Sequence, residues 1–182
     1  MKNLKKSYFA KLGRMFFAFG MAVCFAALTF CACGPTSDSF GKDHPIPQGM
    51  TYEIPLEENA PAPAVDTLSN DSYLQLWNGI QGGIYLYSFY YPTLSDGEVY
   101  LRCYEASNNL ELSASRLRGA STVEVKDHTA FGLVADKQQF SIYEGDWGDY
   151  YAARIEVWHK DASTGVETKL LEKTYRVEGW MR

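Results

Sequence analysis

The sequence predicts an all-β domain, an antiparallel sandwich of about seven strands, and three observations carry that expectation. Short runs rich in Tyr, Phe, Ile and Val recur roughly every 8–12 residues, separated by turns that bear Gly, Asp and Asn. Several of these runs alternate apolar and polar residues with a period of two, as a strand with one buried face requires. No long window repeats apolar residues at helical spacing.

In chain order, Tyr73–Trp77 is short and β-prone, and Asn78-Gly79 and Gly82-Gly83 break it. Ile84–Tyr91, IYLYSFYY, is the strongest strand signal, aromatic, free of breakers and ended by Pro92. Ser95-Asp96-Gly97 supplies turn chemistry before Glu98–Glu105, in which Val99, Leu101 and Cys103 face one way and Tyr100, Arg102 and Tyr104 the other. Leu110–Leu112 and Ser121–Val125 read as short strands, with one helical turn at Ala114–Leu117. Gln138–Glu144 and Tyr150–His159 follow, the second with Tyr151, Ala153, Ile155 and Val157 inward and Arg154, Glu156 and Trp158 outward. Asp161–Gly165 then turns the chain into Thr168–Val177.

This succession resembles an immunoglobulin-like or fibronectin type III-like β-sandwich, with an up-and-down barrel or jelly roll as the alternative. Tyr151, near the start of the penultimate strand, stands where such folds place a tyrosine corner, whose hydroxyl bonds backbone across the preceding turn. Ala153 occupies the position of the antibody disulfide cysteine, so the resemblance is to the architecture and not to the antibody family.

Residues 1–32 are not fold material. Lys2, Lys5, Lys6, Lys11 and Arg14 precede an apolar run from Met15 to Ala32, a pattern that describes an export signal. Its end, Phe30-Cys31-Ala32-Cys33, resembles a bacterial lipobox, with Ala32 as the small residue before an acylated cysteine, although Phe30 and Cys31 depart from the usual pattern. That resemblance implies cleavage before Cys33 and lipidation of Cys33, with Cys31 the less favoured acceptor; Gly34 in place of aspartate implies passage to the outer membrane. Residues 33–71 hold six of the seven prolines and read as a tether, in which Thr51–Ile54 is at most an edge strand before Pro55. The β-sandwich is assigned to residues 72–182.

The whole chain carries 17 basic and 22 acidic residues. Loss of the five cations of the signal leaves 12 against 22, a net charge of −10, which disfavours nucleic acid and anionic headgroups as partners. Cys103 is the one thiol of the folded part and reads as a small buried hydrophobe. HExxH, CxxC, GxSxG and phosphate-loop patterns are absent from the sequence, and Asp127-His128 and His159-Lys160-Asp161 read as solvated turn residues, so a non-catalytic protein is expected.

Two features point to binding. Glu144, Asp146 and Asp149, spaced by Gly145 and Gly148, can supply part of a calcium site or simply form a tight turn with Trp147 plugging the end of the sandwich. Tyr85, Tyr87, Phe89 and Tyr91 share one face of a strand; with aliphatic residues turned inward they join Tyr100, Tyr104 and Trp158 as an outer aromatic face. Such a face contacts a glycan or a protein, or packs structurally. The function expected is a lipid-anchored envelope protein of the outer membrane with a binding or accessory module for glycan, or a structural subunit of an envelope complex.

Overall fold

A computed structural model describes residues 45–62, 72–126, 133–134 and 137–180. The export signal, Cys31, Cys33 and Asp127-His128 lie outside the described residues. Among the described residues, no helix is long and apolar enough to cross a membrane.

The elements in order are β1 (Tyr73–Asn78), β2 (Ile84–Tyr91), β3 (Gly97–Glu105), α1 (Ala114–Ser121), β4 (Val123–Val125), β5 (Leu133–Val134), β6 (Gln138–Ser141), β7 (Tyr151–Asp161) and β8 (Glu167–Val177). They form two antiparallel sheets. In the first, β1 pairs with β2, and β5 and β6 share the opposite edge of β2, Tyr90 facing Val134 and Tyr87 facing Gln138. The two segments thus act as one interrupted strand. The second sheet runs β4-β3-β7-β8. Seven strand positions, three against four, give the predicted sandwich.

The side-chain alternation of β3 and β7 sets the second sheet. Val99, Leu101, Cys103, Ala153, Ile155 and Val157 all enter the core, as the period of two requires. A register shift in the β7–β8 pairing falls between Val157 and Trp158, where Leu170 is the extra residue of β8. From the first sheet the core receives Leu74, Leu76, Tyr85, Tyr87 and Phe89. Each fully buried side chain of this size contributes about 1.5–3 kcal/mol.

Here the sequence reading of β2 is corrected: Tyr85 and Tyr87 point into the core and not onto an outer face. Their phase is set by β1, where Leu76 stands opposite Tyr87 and Leu74 opposite Phe89 on the same side of the sheet. Burying phenols is tolerable because each hydroxyl finds a partner. Tyr85 accepts from the Glu178 N–H at 2.8 Å, and Tyr87 lies 3.0 Å from Gln138 Oε1. The other face of β2 is closed as well, with Ile84, Ser88 and Tyr90 buried.

The predicted single helical turn extends to two, ending at Ser121. Leu117 is buried, and Ser121 Oγ accepts the Leu101 N–H at 2.9 Å, so α1 substitutes for a strand along β3 beyond the short β4.

Part of the stretch read as tether packs onto the sandwich. Glu53 bonds β8 in parallel, its N–H to Thr174 O and its carbonyl to Arg176 N, both at 2.9 Å. Leu56 does the same to β1, N–H to Leu76 O at 2.9 Å and carbonyl to Asn78 N at 2.7 Å. Pro55, which has no N–H to satisfy, is buried where the strap passes from one sheet edge to the other.

Candidate functional site

The outer face of the four-stranded sheet carries three of the predicted contact residues. Tyr100 faces Trp158, Arg102 faces Glu156 and Tyr104 faces Arg154 across β3 and β7, so all six share one side. The rings there are not an open platform. The Arg118 guanidinium sits 3.9 Å from the centroid of Tyr100, Arg102 4.7 Å from Trp158 and Arg154 5.1 Å from Tyr104. Glu167 bonds Arg102 and Arg118 at 2.9 Å each. Buried Glu156 accepts from Arg154 Nε and Trp158 Nε1, both at 2.8 Å. Tyr100 is wholly buried under this cover. The Arg118 bond holds the Glu167 carboxyl below its usual range. Each cation–ring contact is worth roughly 0.5–2 kcal/mol, so the face is a self-satisfied ladder of rings and guanidinium groups.

The acidic turn is braced from three sides. The Glu144 carboxylate takes the Ser113 N–H at 2.9 Å and the Ser113 hydroxyl at 2.7 Å, at the start of α1. Its carbonyl accepts the buried Tyr151 hydroxyl at 2.8 Å, which is the predicted tyrosine corner. Burial raises the Tyr151 phenol well above its ordinary value. Among the described residues, no group of three or more His, Cys, Asp or Glu side chains is gathered to hold a metal, so Glu144, Asp146 and Asp149 are not assembled into a calcium site. At the far end of the sandwich, His159 Nε2 lies 3.0 Å from Ser95 O, and Asp161 Oδ1 accepts the N–H groups of Ser163 and Thr164 at 2.9 and 2.8 Å. The Asp161 bonds are the turn chemistry expected of it, whereas His159 is a buried residue of β7 and not the solvated turn residue the sequence suggests.

Trp147 does not plug the sandwich. It stands 55 % exposed at the apex of the β6–β7 loop. Gly145 and Gly148, at φ 91° and 88°, bend the backbone there. The Gly148 N–H donates to Glu178 Oε2 at 2.6 Å, fixing the loop to the C-terminal segment. One side of the indole rests on Gly82, where any Cβ would collide with it.

Other exposed apolar residues share this end. Ile80, in the β1–β2 turn, is 77 % exposed; Ile54, on the strap, is 64 % exposed; and Tyr150, just before β7, is 42 % exposed. Ile54, Pro55, Tyr150, Arg176 and Glu178 line one depression of about 170 Å³. Glu178 also braces the Trp147 loop, and Gly82 of the turn that carries Ile80 touches the indole, so the strap, the two loops and Tyr150 lie at the same end. The sequence reading singled out only Trp147 here, and as a plug. The signal that could have found Ile80 is a large apolar residue inside a turn, beside Gly79. No family model matches the chain, and no curated protein or solved structure matches it.

Proposed function

We propose that the chain is a lipid-tethered, non-catalytic module of the bacterial cell envelope that docks a protein partner through the sandwich end carrying Ile54, Ile80, Trp147 and Tyr150. The exposure of these four side chains on braced backbone is the observation that carries it. A soluble surface gains nothing from presenting large apolar groups together, whereas rigid aromatic anchors are what interfaces use at their centres. Glycan recognition by the sheet face loses its support, because Tyr85 and Tyr87 are in the core and Tyr100 lies beneath Arg118. The tether rests on the basic start, the apolar run and Ala32-Cys33, and is assigned to the outer membrane by Gly34. A stoichiometric partner makes the chain a subunit of an envelope complex.

Two measurements test this. Cys33→Ala is expected to release the protein from membranes; retention of that variant, with release by Cys31→Ala, reassigns the acylated cysteine. A photo-crosslinking amino acid at Ile80 in the full-length protein is expected to capture one defined partner in cells, while the same probe at Lys160 captures none. Equal capture at both positions, or none at Ile80, refutes docking through this end.

A further inference from the structure

Several of the chain's rings lie against its own cations. Tyr100 lies under Arg118, Trp158 under Arg102 and Tyr104 under Arg154. Arg116 sits 4.5 Å from the centroid of Tyr143, Arg176 3.9 Å from Tyr150, and Lys137 4.8 Å from Trp77. Trp147, like exposed Tyr52, has no such cover. It is the most exposed aromatic ring among the described residues, and no cation of the described residues stacks on it. Asp146 and Asp149 lie in the same loop and Glu178 is bonded to the residue that follows it, while Arg176, stacked on Tyr150, is the nearby cation.

Resting on the docking reading above, we infer that Trp147 receives a cationic side chain, arginine or lysine, from a basic segment of the protein partner. An indole is the strongest of the aromatic cation acceptors, and carboxylates around it add attraction that is screened by salt. The net negative charge of residues 33–182, −10 in all and −4 for the sandwich at residues 72–182, favours approach of such a segment. The Gly148–Glu178 bond and the seat on Gly82 hold the ring in place before the partner arrives, which lowers the ordering cost of binding.

The test uses the full-length protein in detergent and two synthetic nonapeptides. One carries a central arginine flanked by leucines; the other carries citrulline there, the uncharged isostere. A neutral hexasaccharide is the third probe. The readout is fluorescence of the wild type against Trp147→Phe, with circular dichroism confirming that Trp147→Ala stays folded. The arginine peptide is expected to bind about three- to thirty-fold more tightly than the citrulline peptide. That difference is expected to vanish in Trp147→Ala and to shrink with added salt and in Asp146→Asn. Equal, Trp147-dependent binding of both peptides overturns the cation inference while leaving protein docking standing. Binding of the hexasaccharide alone overturns both. Silence from all three probes overturns the cation inference, and crosslinking at Ile80 then decides docking independently.

Discussion

Replacing Tyr151 with Phe removes one oxygen from the best-defined joint in the molecule. The hydroxyl donates to the Glu144 carbonyl across 2.8 Å, and the ring beneath it is fully buried. Phe keeps the ring, so no cavity opens and the packing term stays nearly constant. What is lost is a net hydrogen bond, about 0.5–1.5 kcal/mol, together with the cost of leaving the partly buried carbonyl without that donor, about 1–3 kcal/mol. The two overlap, and a destabilisation of about 1.5–3 kcal/mol is expected. Urea unfolding followed by circular dichroism is the assay. With a slope of roughly 1–3 kcal/mol per molar, the midpoint falls by about 1 M at unchanged slope. Tyr52→Phe, at an exposed position, is the matched control. A midpoint shift in Tyr151→Phe no larger than in that control refutes the claim that the corner bond holds the β6–β7 loop.

Two further outcomes follow from the charges and phenols. Burial pushes the phenols of Tyr85, Tyr87, Tyr151 and Tyr175 upward, so the folded state holds their protons more tightly than the unfolded chain does. Their contribution is intact below about pH 10 and is lost as pH rises beyond it, so alkaline titration should show a late, cooperative phenolate step coinciding with loss of the β-sheet signal. Phenolate absorbance from these four appearing while the sheet signal is intact would contradict their burial. Glu167 behaves in the opposite sense: its lowered carboxyl stabilises the fold above about pH 4.5 and ceases to do so as pH falls through its folded value. Glu167→Gln should therefore cost at most about 1 kcal/mol at neutral pH, and the gap between variant and wild type should narrow as pH falls below about 4.5 in the same urea assay. A gap that is constant with pH excludes the Arg102–Glu167–Arg118 bridge as its source.

How much of this was legible beforehand depends on what each residue's neighbours in sequence reveal. Strands β3 and β7 were readable because their alternation is clean, and Tyr151 because a tyrosine just inside the penultimate strand has one strong structural use. Strand β2 was readable as a strand but not in its phase. IYLYSFYY is apolar on both faces, and only the pairing with Leu74 and Leu76 of β1 decides which face turns inward. The strap was hidden by its prolines, which signal a tether locally; its bonds go to residues far away in the chain, at Leu76, Asn78, Thr174 and Arg176. Trp147 was misjudged for a related reason: whether a loop tryptophan folds inward or rests on a neighbouring glycine is settled by Gly82, in another loop.

The strap has a consequence in time. Lys173 reaches Glu53 across a separation of 120 residues, and closing a loop that long costs about 4 kcal/mol beyond a constant term. During synthesis Glu53 emerges long before β8 exists, so half of its anchorage is missing until almost the last residue of the domain is made. The strap is therefore a late fastener, not a nucleus. Until it closes, the edges of β1 and β8 that it will cover are open to any other extended chain.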